Sequence, residues 1–128
     1  MHVPLTKQRL KVAEIPIIRQ RLSSSQGERC AICQLPIGPR PVLDHDHSSG
    51  LVRGVLHSGC NAVLGKIENS FKRYGVPSLH PFLNGLSAYL YKHATDQTGL
   101  FHPTHKTDDE KRVRRNTLAR KARASKKD

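Results

Sequence analysis

The chain has 128 residues, of which 36% are hydrophobic and 5% aromatic, so a single domain with a small core is expected. Its 22 Lys and Arg residues and ten acids give a formal charge of +12, which favours a polyanionic partner, with nucleic acid ahead of a membrane. No run is long and apolar enough to span a bilayer, and the start MHVPLTKQRLK lacks the apolar centre of a signal peptide.

The positive charge is concentrated at the two ends of the chain. Residues 1–24 carry five basic and one acidic side chain, and residues 106–128 carry ten basic and four acidic ones. The middle is nearly balanced. We therefore predict three parts: a basic N-terminal helix in residues 1–24, a folded core with its following helix in residues 25–94, and a loop with a basic C-terminal arm in residues 95–128.

The N-terminal part has apolar residues at helical spacing. They predict a helix from Lys7 to Leu22 that is interrupted near Ile15 by Pro16. The serine-rich residues 23–27 are expected to form a loop. The simplest interpretation is an amphipathic helix packed on the core, and phosphate contact by its basic face is compatible with that packing.

A β-hairpin is predicted over residues 42–56. Val42 and Leu43 lead into a run of Asp and His, the sequence Ser-Ser-Gly at 48–50 is a turn, and residues 51–56 form the second strand. Gly54 in the middle of this strand indicates a bulge or a close backbone approach.

The second half of the chain is expected to be helical with one long loop. Helices are predicted from about Asn61 to Tyr74 and from about Pro81 to His93, followed by a loop to residue 107. Thr107 and the three acids after it are typical of a helix start. The basic segment beyond is either a solvated helix or a segment that orders on nucleic acid, and we favour a partial helix in the free protein.

Two short knuckles carry soft metal ligands. Cys30 and Cys33 are separated by two residues, and so are His57 and Cys60. These four ligands suit a tetrahedral zinc ion, whereas a disulfide would leave one cysteine over. The set therefore favours a reducing, intracellular setting. The competing interpretation is buried free cysteines with a surface histidine.

Between the knuckles lies the sequence Asp-His-Asp-His at 44–47, and Asn61 follows the last cysteine. Hard oxygen ligands beside imidazoles suit a magnesium-assisted attack on phosphate. His45 is suited to be a general base, Asp44 and Asn61 offer oxygens to a divalent ion, and His47 can bind a phosphate or the metal.

Strand alternation separates Asp44 from His45, so the strand must end here if both serve one site. Three roles are open for Asp46: it orients a histidine, it binds metal, or it only shapes the turn. The competing interpretation of the whole run is a polar loop with incidental metal affinity.

The stretch QGERCAICQLPI…VLDHDHSSGLVRGVLHSGCNAVLGKI, residues 26–67, resembles the recombination endonuclease VII family, a branch of the His-Me finger (HNH, ββα-metal) nucleases. The resemblance implies an α+β fold with a zinc-stapled ββα-metal core, flanking helices and a basic C-terminal arm. It implies His45 as general base and His47 as a further active-site histidine. The implied ligands are Cys30, Cys33, His57 and Cys60 for structural zinc, and Asp44 and Asn61 for catalytic Mg²⁺ or Mn²⁺.

The chain departs from the family pattern at two points. His57 stands where a cysteine is usual, and residues 62–65 contain no acid where the junction-resolving member has one. That member is an intertwined dimer, so a homodimer is one assembly that the resemblance suggests. The resemblance also suggests a cytoplasmic location in a bacterial host, where a phage or the bacterium itself encodes the protein.

We therefore expect a metal-dependent DNA endonuclease that hydrolyses phosphodiester bonds and leaves a 5′-phosphate and a 3′-hydroxyl, as the family does. DNA contacts are expected from basic residues inside and outside the core: Arg53, Lys66, Lys111, Arg112, Arg114 and Arg115. A non-catalytic, zinc-finger-like DNA-binding protein is the alternative. Branched DNA, a specific site and general duplex all remain open as substrates, and so do nicking and double-strand cutting.

Overall fold

The structure is a computed structural model that describes residues 6–127. The first five residues of the predicted N-terminal part, and Asp128, lie outside the described residues. Within residues 6–127, a short 3₁₀ helix precedes four α-helices and two strands, and the chain forms two compact units that divide between Leu83 and Asn84. The elements are the 3₁₀ helix Val12–Glu14, α1 Ile15–Ser25, β1 Pro41–His45, β2 Val52–His57, α2 Ser58–Ser70, α3 Leu79–Lys92 and α4 Asp108–Ser125.

The two strands form an antiparallel hairpin, as predicted. Asp44 pairs with Gly54 and His45 pairs with Val52, so Arg53 is an extra residue and β2 bulges at this point. A Cβ on Gly54 would lie 3.0 Å from Oε1 of Gln26. The bulge that Gly54 suggested is therefore present, at the neighbouring Arg53, and the group that approaches Gly54 closely is a side chain and not backbone.

The first helix differs from the prediction at both ends. It starts at Ile15 and not at Lys7, because Pro16 is accommodated in a first helical turn, where its missing N–H costs nothing. Helix α1 also continues through Ser25, where a loop was predicted. The Glu28 carboxylate holds this end together, because it accepts hydrogen bonds from the hydroxyls of Ser23 and Ser24 at 3.0 and 3.1 Å.

The core of the first unit is small and lies between the hairpin and the two helices α1 and α2, which both pack against the hairpin. Its buried hydrophobic residues are Cys30, Ile37, Val55 and Leu56, and partly buried Leu22, Leu43, Cys60 and Leu64 pack around them. Two members of this cluster are cysteines of the predicted zinc set. Metal binding and core formation therefore involve the same residues.

Helix α2 begins at Ser58, three residues before the predicted start, because His57 is already its extended N-cap residue. It ends at Ser70, and a turn continues to Gly75, which has a φ of +81°. Helix α3 carries Pro81 within its first turn, as predicted.

Helix α4 opens with the predicted capping residue. The Thr107 hydroxyl accepts from the Glu110 amide at 3.2 Å, and the Glu110 carboxylate accepts from the Thr107 amide at 3.4 Å. The helix runs through Ser125, so it is longer than the partial helix that was predicted. Among residues 6–127, no helix combines the length and the apolar character needed to cross a membrane.

The architecture agrees with the predicted class. The chain is mixed α and β, and the hairpin with α2 forms a ββα unit beside a group of three cysteines and one histidine.

Candidate metal centre and adjoining cleft

The four predicted zinc ligands come together at the base of the hairpin. One ligand atom from each of Cys30, Cys33, His57 and Cys60 lies within 4.8 Å of the others. In a tetrahedral zinc site with zinc–sulfur bonds of about 2.3 Å, neighbouring sulfur atoms are about 3.8 Å apart. The donor set and its spacing therefore fit zinc, and these four residues form a group that can hold it.

His57 is oriented by its second ring nitrogen. Nε2 lies 2.7 Å from the Pro36 carbonyl oxygen, to which it donates a hydrogen bond, and this leaves Nδ1 as the ligand atom. Nδ1 lies 3.2 Å from Sγ of Cys33 and 3.8 Å from Sγ of Cys60. A histidine in this position is therefore a competent substitute for a fourth cysteine.

Backbone hydrogen bonds shape the first knuckle and attach it to the hairpin. The Cys30 amide donates to the Leu35 carbonyl at 2.9 Å, and the Gln34 amide donates back to the Cys30 carbonyl at 3.0 Å. The Ala31 amide donates to the Val55 carbonyl of β2 at 3.1 Å. The second knuckle is the junction of β2 and α2, so the sheet positions both pairs of ligands.

The thiols have unequal affinities for protons. Burial raises the pKa of Cys30, but backbone hydrogen bonds at Cys33, His57 and Ile32 outweigh it and lower this pKa to about 6. Burial, together with hydrogen bonds and charge from Cys33 and Cys30, raises the pKa of Cys60 to about 11. Crowded thiols of this kind favour a cation that can balance the negative charge of the thiolates.

A cleft of about 380 Å³ lies between the end of β1 and one face of α2. The residues on α2 that line it recur at helical spacing, because Asn61, Gly65, Glu68 and Asn69 share one face. The polar side chains around the cleft are Asp44, His47, Asn61, Lys66, Glu68, Asn69 and Ser70. Asp44, His47 and Asn61, three of the four predicted catalytic residues, are thus brought together.

A network of ion pairs links Asp44 and Glu68, two residues that line the cleft. Nε and one terminal nitrogen of Arg53 donate to the two carboxylate oxygens of buried Asp44, at 2.7 and 3.2 Å. Both terminal nitrogens donate to Glu68, each at 2.9 Å. The hydrogen bonds to Glu68, and then those to Asp44, raise the pKa of Arg53, and Arg53 lowers the pKa of Glu68.

His45, the predicted general base, lies beside the cleft and not in its lining. It is the exposed last residue of β1, whereas Asp44 before it is buried, as strand alternation requires. The His45 ring stacks on that of His47, with centroids 4.9 Å apart and planes 23° from parallel. Because His47 lines the cleft, His45 stands at its edge.

Asp46 shapes the turn, which is one of the three roles that the sequence left open. Its Oδ1 accepts from the amides of Ser48 and Ser49 at 2.8 and 3.0 Å. The hydrogen bond from Ser49, followed by that from Ser48, lowers the pKa of Asp46. The turn returns the chain to β2.

Glu68 is one of the polar cleft residues that sequence reasoning missed. Its signal was its position seven residues after Asn61, which places both side chains on the same face of a helix. Of the basic residues predicted to contact DNA, Lys66 lines the cleft and Arg53 lies between Asp44 and Glu68. The other four lie on exposed positions of α4.

The fold and the site together define a small α+β protein in which a Cys₃His group fastens a ββα unit beside a cleft lined by oxygen and imidazole ligands. Residues 7–101 match the family model for recombination endonuclease VII, and the chain belongs to this family. The description of this family is that of a recombination endonuclease.

Two curated phage proteins share a shorter stretch. The Gene 59 proteins of Mycobacterium phages D29 and L5 are 55% and 53% identical to the chain over 38 residues, which are 28% of this chain and 23% of each relative. The chain therefore covers less than a quarter of the length of these relatives. The family match and the phage relatives agree with the resemblance inferred from the sequence.

Proposed function

We propose that the chain is a metal-dependent DNA endonuclease that hydrolyses phosphodiester bonds in duplex or branched DNA. The observation that carries the proposal is the meeting of Asp44, His47 and Asn61 in one cleft, with His45 stacked at its edge. Family membership supports the same reaction. The assignment to the HNH, or His-Me finger, type rests on these side chains.

Each side chain has a distinct role in the proposed reaction. The Asp44 carboxylate and the Asn61 amide oxygen would hold Mg²⁺ or Mn²⁺, because hard cations prefer oxygen ligands. When bound, the ion supplies positive charge to the phosphate and to the leaving oxygen. His45 takes the proton of the attacking water on a ring nitrogen, and His47 binds the scissile phosphate and restrains the His45 ring. The products are a 5′-phosphate and a 3′-hydroxyl.

Zinc has a structural role in this proposal. It would bind Cys30, Cys33, His57 and Cys60 and so fix the junction from which α2 starts. Asn61 directly follows Cys60 in the first turns of that helix, so the zinc group positions one ligand of the catalytic ion.

DNA affinity is supplied by the basic residues. Lys66 and Arg53 lie at the cleft, and α4 presents Lys111, Arg112, Arg114 and Arg115 to solvent. Lys111 and Arg112 pair with Asp108 and Asp109, but exposed pairs of this kind are weak and are readily exchanged for phosphate contacts. The binding is sequence-independent and weakens steeply with salt.

The test is cleavage of supercoiled plasmid with Mg²⁺ or with EDTA. Wild type should give open-circular or linear DNA with Mg²⁺ only, and His45→Ala should give neither. The exposed His80 in α3 offers a matched control, because His80→Ala removes an imidazole far along the chain from the proposed residues. Intact plasmid in every lane, together with a clear gel shift by the wild type, would instead favour the non-catalytic DNA-binding protein.

The preferred substrate is tested by comparing a four-way junction with its linear arms. Faster cleavage of the junction would identify a branched-DNA enzyme, and equal rates would remove that possibility.

We further propose a homodimer, which analytical ultracentrifugation tests directly. The phage relatives support a bacterial-cytoplasm setting, and the three-part division at residues 24/25 and 94/95 remains a proposal.

A further inference from the structure

Arg53 and Glu68 are linked to the proposed cation ligand Asp44 but have no role in the reaction described above. Arg53 makes four hydrogen bonds to the two carboxylates, two to each. It reaches both because it is the extra residue of the β2 bulge, which turns its side chain toward α2. Glu68 is the acceptor on the α2 side of this bridge.

The arrangement has a consequence for any divalent cation that binds Asp44. Both oxygens of this carboxylate are engaged by a guanidinium, and the residue is only 6% exposed. A second positive group at the same oxygens is repelled by Arg53 and must weaken its hydrogen bonds. Glu68 offers the guanidinium two further oxygens, so Arg53 can remain bound to α2 after it has left Asp44.

We propose that Arg53 competes with the divalent cation for Asp44, and that Glu68 is a positioning residue that retains Arg53 when the cation binds. Arg53 therefore lowers the cation affinity of the cleft, and Glu68 raises it. The inference rests on the proposed function only in taking Asp44 as a cation ligand. A purely structural role, in which the bridge only fastens β2 to α2, would affect stability and leave cation affinity unchanged.

The experiment measures cation binding directly and without DNA. The full chain is loaded with zinc, its zinc content is checked by elemental analysis, and Mn²⁺ is titrated by calorimetry and by electron paramagnetic resonance. The variants are Arg53→Met, Glu68→Gln and the double variant, with Asp44→Asn to identify the site. Arg40→Met is the matched control, because it removes the same charge from an exposed loop residue outside the cleft.

Competition predicts opposite effects at the two positions. Arg53→Met should bind Mn²⁺ about tenfold more tightly than wild type, and Glu68→Gln about tenfold more weakly, since each changes one charge beside the site. Glu68→Gln should weaken Mn²⁺ binding by a smaller factor when Arg53 is absent, because there is then no guanidinium to retain. Arg40→Met should match wild type, and Asp44→Asn should lose the site.

The inference is overturned if Arg53→Met binds Mn²⁺ no more tightly than wild type. It is also overturned if the effect of Glu68→Gln is the same with and without Arg53, or if no variant binds Mn²⁺. Plasmid cleavage separates this result from the proposed function. Wild-type cutting with unchanged Mn²⁺ affinities would refute the competition alone, whereas the predicted affinities with uncut plasmid would refute only the nuclease.

Discussion

The side chain of Gln26 pairs with the backbone of Val55, which lies 29 positions later in the chain. Nε2 of Gln26 donates to the Val55 carbonyl, and Oε1 accepts from the Val55 amide, both at 2.9 Å. This covers the outer edge of β2 in the manner of a third strand. Nε2 also donates to the Arg29 carbonyl at 2.9 Å, so the same side chain ties the first zinc knuckle to the hairpin.

Gly54→Ala should disrupt this pairing. The added Cβ would lie 3.0 Å from Oε1 of Gln26, so the Gln26 side chain must shift by a few tenths of an ångström, which weakens its hydrogen bonds to Val55. We expect a loss of about 1–3 kcal/mol in the free energy of unfolding, measured by urea denaturation of the zinc-loaded protein.

Gly85→Ala is the matched control for this substitution. Nothing lies within 4 Å of the Cβ that it adds inside α3, so it should be neutral or stabilise by about 0.5–1 kcal/mol. Equal urea midpoints for Gly54→Ala and wild type would contradict the role assigned to Gln26.

Zinc removal should unfold the first unit. Its buried apolar cluster contains only Cys30, Ile37, Val55 and Leu56 among the described residues, and one of these is a ligand. We expect a strong chelator, or Cys33→Ser, to abolish the cooperative thermal transition seen by circular dichroism. His57→Cys should keep both one bound zinc and the transition, because thiolate replaces imidazole among accepted ligands. An unchanged melting curve in chelator would show that the four residues fold without metal.

The bridge from Arg53 to Glu68 should make stability depend on acid pH. Arg53 holds the pKa of Glu68 below its usual value of 4.5, so the folded protein binds this proton more weakly than the unfolded chain does. The stabilisation is therefore complete above about pH 4.5 and is lost as the pH falls through the lower folded-state pKa.

The measurement compares wild type with Glu68→Gln by urea denaturation between about pH 6 and pH 3. The difference in unfolding free energy should shrink as the pH falls, over the part of this range in which elemental analysis shows that zinc remains bound. A difference that stays constant over this range would contradict the lowered pKa.

The C-terminal helix should be formed without DNA and should carry much of the salt-dependent binding. Thr107→Ala removes its N-cap and should cost about 1 kcal/mol of helix stability, seen as lower helicity by circular dichroism.

Replacing Lys111, Arg112, Arg114 and Arg115 by Gln should weaken duplex binding and reduce the log–log salt slope by about 0.9 for each phosphate that is no longer neutralised. Helicity should be retained, which distinguishes the removal of positive charge from the unfolding of the arm. A salt slope equal to that of wild type would exclude these four residues from the interface.

Local patterns predicted the hairpin, the helices α2 to α4 and the zinc set. Each depends on residues close in sequence, such as the capping box at Thr107 or the two knuckles. The start of α1 was wrong because Pro16 is equally compatible with interrupting a helix and with opening one. The predicted end of α1 was too early, because Glu28, which lies beyond the helix, accepts hydrogen bonds from Ser23 and Ser24 and so stabilises the last turn.

The composition of the cleft was only partly predictable. Asp44, His47 and Asn61 belong to recognisable motifs, but the role of Glu68 depends on where Arg53 points. That direction follows from a one-residue bulge, and a glycine in mid-strand suggests a bulge without giving the side to which its extra residue turns. The neighbourhood of Asp44 therefore required three-dimensional information.

Cys60 and Asn61 are consecutive residues in the first turns of α2, one in the metal group and the other in the cleft. A rigid helix cannot move one of them without moving the other. Exchanging zinc for a larger thiophilic ion would lengthen the metal–sulfur bonds and displace helix α2. The size of an ion outside the cleft would therefore change the distance between Asn61 and Asp44. The metal group and the cleft are therefore coupled through helix α2.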